Sequence, residues 1–355
     1  MHMADALLAP AVAATMYVAS GTVTGMSVHK LKKDEDTQKL PAMAVTAALV
    51  FAGQMINYTI PGTGSSGHMC GGLMLSALLG PQAGFLSMVV ILTIQCLFFA
   101  DGGLMALGAN CWNMAFYGCF VGYYLIWRPI MRSSWFGSLE PKAAARMRII
   151  AASVIGCVVT LQLGAFSVVV ETSLSGITEL PFGAFCALMQ PIHLAIGLFE
   201  GLITSAVLVF VFESRPELLQ DTNCEAKGIT GRRSLKTTVI VIAVAAAAAG
   251  GVLSLFASPN PDGLEWALFG NSEAGYSENM ALDEDNFGIR SAAADAAASV
   301  QEKTAFLPDY AFSNSESAAG TTVSGLLGSA IVAGVAVGIC VLGGFFRKKN
   351  RSAQS

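Results

Sequence analysis

The 355-residue sequence contains few charged residues, with Asp, Glu, Lys and Arg together making up 12% of it. Soluble globular domains contain about twice that fraction. Hydrophobic residues reach 54% and the mean hydropathy is +0.60, so the chain is predicted to be a membrane protein. The net charge of −4 says little by itself, because acidic and basic residues are concentrated in different connections.

Several catalytic and metal-binding motifs are also absent. The eight cysteines form no C-x-x-C pair and most lie in apolar runs, which predicts buried side chains instead of a zinc site or a disulfide framework. An intramembrane zinc protease would need H-E-x-x-H, and a nucleotide site would need G-x-x-x-x-G-K-[ST]; neither occurs. The chain is therefore not expected to be an enzyme, and ATP hydrolysis is expected in partner subunits.

Apolar runs of about 20 residues, the length that crosses a bilayer, occur along most of the chain. They predict an all-α fold: a polytopic membrane bundle of about seven helices, followed by a two-helix C-terminal membrane module. The third run is too short to cross unless it is tilted, broken or extended. The nine approximate spans are 7–28, 41–57, 69–80, 84–100, 104–127, 149–170, 191–212, 238–257 and 322–346.

Basic residues favour cytoplasmic loops, and here they are concentrated in four places. With nine spans, the first, fifth and seventh connections and the C-terminal tail fall on one side. The N-terminus is therefore predicted to lie outside and the C-terminus in the cytoplasm. The basic residues are Lys30, Lys32, Lys33; Arg128, Arg132, Lys142, Arg146, Arg148; Arg215, Lys227, Arg232, Arg233, Lys236; and Arg347, Lys348, Lys349, Arg351.

The chain divides into a membrane bundle (1–213), a polar cytoplasmic linker (214–236) and a two-span module (237–355) with an acidic outer loop (258–321). The loop has eleven acidic residues against two basic ones. Its Ala-rich stretch from Ser291 to Val300 could form a helix, but its composition predicts that much of the loop is loosely ordered. A solvated spacer, a partner surface and a loop that attracts cations all remain open.

The four histidines are His2, His29, His68 and His193, and the predicted topology places both His2 and His68 outside. His68 ends a stretch, 57–68, that contains one proline and three glycines before it. Such a stretch is not a regular helix; it bends the chain and delivers His68 to the start of the next apolar run. The two histidines can therefore meet at the outer mouth of the bundle.

A free N-terminal amine followed by His2 offers three nitrogens: the Met1 amine, the His2 backbone nitrogen and His2 Nδ1. Binding one metal, they would close adjacent five- and six-membered rings in one plane, and His68 would complete a square. Square-planar nitrogen ligation favours Ni(II) or Cu(II) over Zn(II) or Mg(II). Met1 is expected to survive processing, because His2 is a large neighbour.

Other polar residues have two interpretations each. Asn57, Ser65 and Ser66 could orient the His68 ring by hydrogen bonds without binding the metal themselves, or could simply hydrogen-bond to backbone groups of the loop. His193 heads the seventh span, with Glu200 seven residues later on the same helical face, and ionisable residues within spans suggest function. His193 either contacts the metal or makes a hydrogen bond to another helix. Glu200 is expected to pair with a neighbouring helix.

Four stretches resemble the CbiM/NikM family, the membrane substrate-binding component of cobalt/nickel energy-coupling-factor (ECF) transporters. They are Met1-His2, GTGSSGHMCGG (62–72), FADGGLMALGANCWNM (99–114) and PIHLAIGLFEGLITSAVL (191–208). The resemblance implies that the Met1 amine, His2 and His68 hold Ni(II) or Co(II) as transported substrate at the outer face of a prokaryotic cytoplasmic membrane. It also implies two kinds of partner, an ECF transmembrane coupling (T) subunit and cytoplasmic ATPase subunits.

The resemblance has one departure and one extension. Family members often begin Met-His-Ile-Pro-Asp-Gly, whereas MHMADALL keeps Asp5 but has Ala4 and Ala6, so the turn that tucks the terminus inward is left open. SPNPDGLEWAL (258–268) resembles the Pro-Asp-Gly-Leu-Glu segment of the small CbiN-like accessory subunit, here fused as 237–355. Such accessory parts are associated with metal loading, so Asp262 and Glu265 are either hand-off ligands or part of a turn that packs against the mouth.

Together these features predict capture of Ni(II) or Co(II) for ATP-driven import, with nickel slightly preferred because the ligands are nitrogens. Cobalt would point to cobalamin biosynthesis. The alternative is an ion-driven secondary divalent-metal transporter without ATPase partners; it would need buried charges, for which Glu200 is the clear candidate, and no inverted repeat is visible. Membrane lipid is an expected partner and nucleic acid is not.

Overall fold

The computed structural model describes residues 1–31, 40–222, 234–272, 275, 279–280, 282, 287–312 and 319–352. Helices dominate these residues, which confirms the predicted all-α class. By length and composition, five helices can cross a membrane, and two shorter apolar helices accompany them. The five are α1 (Pro10–Leu31), α4 (Pro81–Phe99), α7 (Pro141–Leu174), α8 (Phe182–Ser214) and α12, in which the apolar span is Ala319–Ala336.

The third predicted span is a short helix that does not cross. α2 (Leu40–Gln54) is followed by a hairpin of β1 (Tyr58–Ile60) and β2 (Ser65–Gly67), in which Tyr58 pairs with Gly67. The eight residues of α3 (Gly72–Leu79) then lie entirely in the core. Glycines with positive φ, Gly71 at 85° and Gly80 at 83°, flank this helix and allow the sharp bends that separate it from its neighbours.

The fifth predicted span is one continuous helix whose middle segment is π-helical. α5 (Leu107–Asn110) leads into a π-helical segment (Cys111–Trp127) and then α6 (Arg128–Arg132). α7 and α8 form a long antiparallel pair after it. A Cβ on Gly197 would lie 2.9 Å from the Cα of Val158, so small residues let these two helices approach closely.

The linker begins by packing under the bundle. The Gln220 backbone N–H donates to the Ala77 carbonyl at 2.9 Å, which satisfies the end of α3. Residues 223–233 of the predicted linker lie outside the described residues. α9 (Leu235–Gly251) and α12 (Ala319–Ser352) then pack against each other and against α2; a Cβ on Gly250 would lie 2.9 Å from the Gly325 carbonyl oxygen.

Between α9 and α12 lies the outer segment of the second module. Its described parts include α10 (Gly263–Phe269) and α11 (Ala292–Thr304), the helix predicted from the Ala-rich stretch. These parts pack on the end of the bundle that carries the N-terminus, although a loosely ordered loop was expected. Apolar side chains such as Leu264, Leu268 and Leu307 are buried against the bundle and explain the order. Several of the acidic positions lie outside the described residues: Glu273, Glu278, Asp283, Glu284, Asp285 and Glu316.

Candidate metal centre

The N-terminal residues enter the bundle as an extended arm. Met3 is fully buried, and its N–H donates to Asn110 Oδ1 at 2.8 Å. The Gly103 N–H donates to the Met3 carbonyl at 2.9 Å, and Asp5 Oδ1 accepts the Ala106 N–H at 2.9 Å. Asp5 also begins a short 3-10 turn, Asp5–Leu7. The terminus is therefore tucked inward in this chain, with alanine at both positions 4 and 6.

A turn made of two glycines accommodates the arm. Gly102 has a φ of 77°, and a Cβ there would lie 3.2 Å from the Cβ of His2. A Cβ on Gly103 would lie 2.5 Å from the Asp5 backbone nitrogen, closer than atoms can approach without moving. The sequence around Gly102-Gly103 carries no signal that the N-terminal arm packs against this pair.

The Met1 amine is paired with a carboxylate of the second module. It donates to Asp262 Oδ2 at 2.7 Å, and Met1 is only 6% exposed. The other oxygen, Oδ1, accepts the N–H groups of Leu264 and Glu265 at 2.8 and 2.9 Å and so caps α10. Glu265 Oε2 accepts the Asp262 N–H at 3.2 Å in return, forming a capping box. The segment is thus a turn packed against the mouth, and its carboxylate touches a predicted ligand.

His2 faces a carboxylate of the bundle. Its Nδ1 contacts Asp101 Oδ1, and the Tyr310 hydroxyl donates to Asp101 Oδ2 at 2.5 Å. His2 Nε2 is buried and, among the described residues, has no hydrogen-bond partner. The predicted chelate uses Nδ1, so the contact between His2 and Asp101 must break before that chelate can form.

His68 completes the group. Its ring centroid lies 5.5 Å from that of His2, and its Nε2 lies 3.9 Å from Asp262 Oδ2. His68 Nδ1 lies 3.1 Å from the Met69 carbonyl oxygen. A carbonyl only accepts hydrogen bonds, so Nδ1 carries the proton and Nε2 carries the lone pair. The structure therefore brings together the three predicted ligand residues, Met1, His2 and His68.

The charges at this point are set by burial and by pairing. Burial, then the Met1 ammonium and His2, lower the pKa of His68 to about 4, so its imidazole is neutral at pH 7. Burial lowers the pKa of the Met1 amine, but Asp262 outweighs it and the pKa lies above the usual value of 8.0. Burial would raise the pKa of Asp262, but the Met1 ammonium and His68 hold it well below its usual range. Asp262 and then burial raise the pKa of Glu265 to about 7.

The remaining candidates take different places. His193 Nδ1 donates to the Met189 carbonyl of its own helix at 2.8 Å, and its buried Nε2 has no hydrogen-bond partner among the described residues. The residue lines a cavity together with Met1, His68 and Asp262. Asn57, Ser65 and Ser66 bind the second module: the Asn57 carbonyl accepts the Ser258 N–H at 2.7 Å, Ser66 Oγ donates to the Asn260 carbonyl at 2.7 Å, and Ser65 Oγ lies 3.4 Å from the Pro261 carbonyl.

The second module contacts every segment of the site. Trp266 Nε1 donates to the Thr63 carbonyl of the hairpin at 2.8 Å, and the Ile289 N–H donates to the Ala6 carbonyl of the arm at 2.8 Å. Gln301 Nε2 donates to the Gly102 carbonyl of the glycine turn, also at 2.8 Å. The sequence carried no signal for Gln301 or Tyr310, since neither belongs to a motif.

Side chains alone do not make a metal site in the described part of the chain. No group of three or more His, Cys, Asp or Glu residues there is arranged to hold a metal ion. A centre at this position needs the terminal amine as an additional donor, and the arm supplies it within the same cavity as His68.

Comparisons with known proteins agree with this architecture. The family model described as cobalt uptake substrate-specific transmembrane region matches residues 2–218, and the model of the PDGLE domain matches residues 236–343. The chain is 33% identical over 338 residues to a putative fused nickel transport protein NikMN of Archaeoglobus fulgidus, covering 94% of this chain and 95% of that protein.

A cobalt transport protein CbiM of Sorangium cellulosum is 28% identical over 223 residues, covering 62% of this chain and 94% of that protein. Among solved structures, a truncated transition metal transporter matches with a TM-score of 0.51 at 31% identity. The match covers 60% of this chain and 99% of that one.

Proposed function

Because the chain belongs to the family of the cobalt uptake substrate-specific transmembrane region and carries a PDGLE domain behind it, we propose that residues 1–213 capture Ni(II) or Co(II) for import. The chain is a multi-pass membrane component of metal transport and not an enzyme. In the proposed topology the N-terminus and the metal centre face the outside, and the C-terminus faces the cytoplasm.

The observation that carries the proposal is the convergence of the Met1 amine, His2 and His68 at one end of the bundle. The buried arm places a terminal amine beside the imidazoles of His2 and His68, and nitrogen donors of this kind suit divalent transition metals. We propose Ni(II) as the preferred ion, because amine, backbone nitrogen and imidazoles can form a square of nitrogens. Co(II) can use the same donors.

Energy for transport is proposed to come from partners. The sequence has no phosphate-binding loop, so an ECF-type transmembrane coupling subunit and cytoplasmic ATPase subunits would drive reorientation of the loaded component. The second module contacts the hairpin, the arm and the glycine turn around the proposed centre. We therefore propose that it controls the access of the metal. Asp262 holds the amine until the metal displaces it.

Metal binding by the purified full-length protein tests the ligand set. The native N-terminus is compared with a form carrying two extra residues before Met1 and with a form carrying the same residues after Ser355. We expect Ni(II) and Co(II) binding, measured by calorimetry, to be lost only in the N-terminally extended form. Equal binding by both extended forms would show that the amine is not a ligand.

Uptake by proteoliposomes tests the dependence on partners. Vesicles containing the chain alone should not accumulate radioactive nickel, whereas vesicles that also contain the coupling and ATPase subunits should do so when ATP is supplied. Accumulation by the chain alone under an ion gradient would instead support a secondary transporter.

A further inference from the structure

Glu200 is a carboxylate buried in the middle of a membrane helix. It lies in α8 and is 1% exposed. Both of its oxygens accept backbone N–H groups from the residues that follow His68: Oε2 from Cys70 at 2.7 Å and Oε1 from Gly71 at 2.9 Å. Burying a carboxylate is costly, and ionisable groups within spans usually mark functional sites.

The peptide bond that Glu200 holds is the same one that orients the ring of His68. The Met69 carbonyl and the Cys70 N–H belong to a single planar peptide group. His68 Nδ1 donates to the Met69 carbonyl at 3.1 Å, while Glu200 accepts the Cys70 N–H at the opposite end of that group. Two hydrogen bonds therefore connect the Glu200 carboxylate to the His68 imidazole through one peptide group.

The surroundings keep this peptide in place. The Cys70 carbonyl accepts Gln54 Nε2 at 2.8 Å, so the backbone of Cys70 is held on both sides. Gly71 has a φ of 85°, and a Cβ there would collide with Val50. α3 starts at the next residue, within the core, where water cannot satisfy its first N–H groups; Glu200 satisfies two N–H groups at this junction.

We propose that Glu200 is a positioning residue for the metal centre, acting through the Met69–Cys70 peptide to fix the tautomer and direction of His68. This inference rests on the proposed function of His68 as a metal ligand. In metal sites, a carboxylate or carbonyl that accepts the N–H of the ring nitrogen not bound to the metal orients the histidine ring and increases its basicity. Here the carbonyl performs that role, and Glu200 orients and polarises the carbonyl.

Glu200→Gln tests the proposal in the full-length protein. The variant preserves the volume of the side chain but replaces one acceptor oxygen with an NH2 group and removes the charge. We expect the affinity for Ni(II) to fall about 10- to 100-fold, the range typical when a partner of a metal-binding histidine is removed. The matched control is Glu171→Gln, a buried carboxylate of α7 that accepts Asn113 Nδ2 at 2.8 Å and, among the described residues, has no hydrogen bond to residues 68–71.

A double-mutant cycle separates positioning from general damage. The loss caused by Glu200→Gln should disappear when His68→Ala is already present, because the residue through which Glu200 acts is then missing. The absorption spectrum of the Ni(II)-loaded Glu200→Gln variant should also shift relative to that of the Glu171→Gln variant. Affinity is measured by competition with a chelator, so that weak residual binding to Met1 and His2 remains measurable.

Three outcomes would overturn the inference or the function beneath it. Native affinity in Glu200→Gln, or an equal loss with and without His68, would show that Glu200 does not act through His68. Native affinity in His68→Ala would instead contradict the proposed ligand set. If Glu200→Gln does not yield folded protein, the double-mutant cycle is repeated with Glu200→Asp, which keeps the charge on a shorter side chain. This variant must then show a loss of Ni(II) affinity that depends on the presence of His68.

Discussion

The terminal amine of Met1 lies 2.7 Å from Asp262 Oδ2, although 261 positions separate the two residues in the chain. The pair joins the first residue of the membrane bundle to the PDGLE segment of the second module. A nitrogen that is paired with a carboxylate as an ammonium group cannot donate its lone pair to a metal. With the proposed ligand set, Asp262 and the metal compete for the same atom, which would link the second module directly to metal binding.

Asp262→Asn should strengthen metal binding. Asparagine caps a helix about as well as aspartate, so α10 should remain intact while the charge that holds the ammonium is lost. The expected gain in Ni(II) affinity is roughly tenfold, because a hydrogen bond to a charged group contributes about 1.5–3 kcal/mol and asparagine keeps part of it. Calorimetry measures the change, and Glu265→Gln, which keeps its acceptor oxygen for the Asp262 N–H, is the control. Weaker binding by Asp262→Asn would show that Asp262 is itself a ligand for the metal.

Metal affinity should rise with pH through the range from 6 to 8. The pKa of the Met1 amine lies above 8.0, so over this range the metal must displace a proton, and a lower pH favours the ammonium form that cannot bind. The affinity should increase about tenfold per pH unit for each proton released. His68, with a pKa of about 4, stays neutral in this range and adds no dependence of its own.

Titrations at pH 6, 7 and 8 in the native protein and in Asp262→Asn measure this dependence. In the variant the amine lacks the carboxylate that raises its pKa, so the affinity should level off at a lower pH. Equal affinity at pH 8 and pH 6 in the native protein would contradict a ligand set that contains the amine.

Gly103→Ala should expel the N-terminal arm. The added methyl group would lie 2.5 Å from the Asp5 nitrogen and would also displace the Asp5 carboxylate that accepts the Ala106 N–H. We expect at least a 100-fold loss of Ni(II) affinity while the helices remain folded, as judged by circular dichroism and thermal denaturation. Gly21→Ala in α1, where a Cβ meets nothing within 4 Å, is the control and should bind like the native protein.

Locking the second module to the hairpin should slow metal exchange. Thr59 Oγ1 and Ser258 Oγ lie 2.9 Å apart, so Thr59→Cys with Ser258→Cys places two thiols near disulfide geometry. Under oxidising conditions the release of bound radioactive nickel should slow at least tenfold, and a reductant should restore it. Each single cysteine variant serves as a control, and exchange at the native rate in the oxidised double variant would show that the module need not move.

Much of the helical architecture was predictable, because the length of an apolar run is a property of the sequence. In the described part of the chain, five of the nine predicted spans correspond to helices long and apolar enough to cross a membrane. The third predicted span differs most clearly. Its apolar residues met the composition of a span, but Gly71 and Gly80 adopt positive φ and limit α3 to eight residues. Hydropathy is insensitive to backbone dihedral angles, so the interruption could be suspected from the sequence and located only in the structure.

The ligand candidates also came from the sequence, because chelation by Met1 and His2 is local chemistry and the proline and glycines of 57–68 predict the bend that precedes His68. The hydrogen-bond partners of these atoms, in contrast, depend on the tertiary structure. Asp262 reaches the amine, Asp101 reaches His2 and Glu200 reaches the peptide beside His68. Each of these contacts depends on the packing of helices distant in the chain, and a burial pattern along one helix does not specify which neighbour it faces.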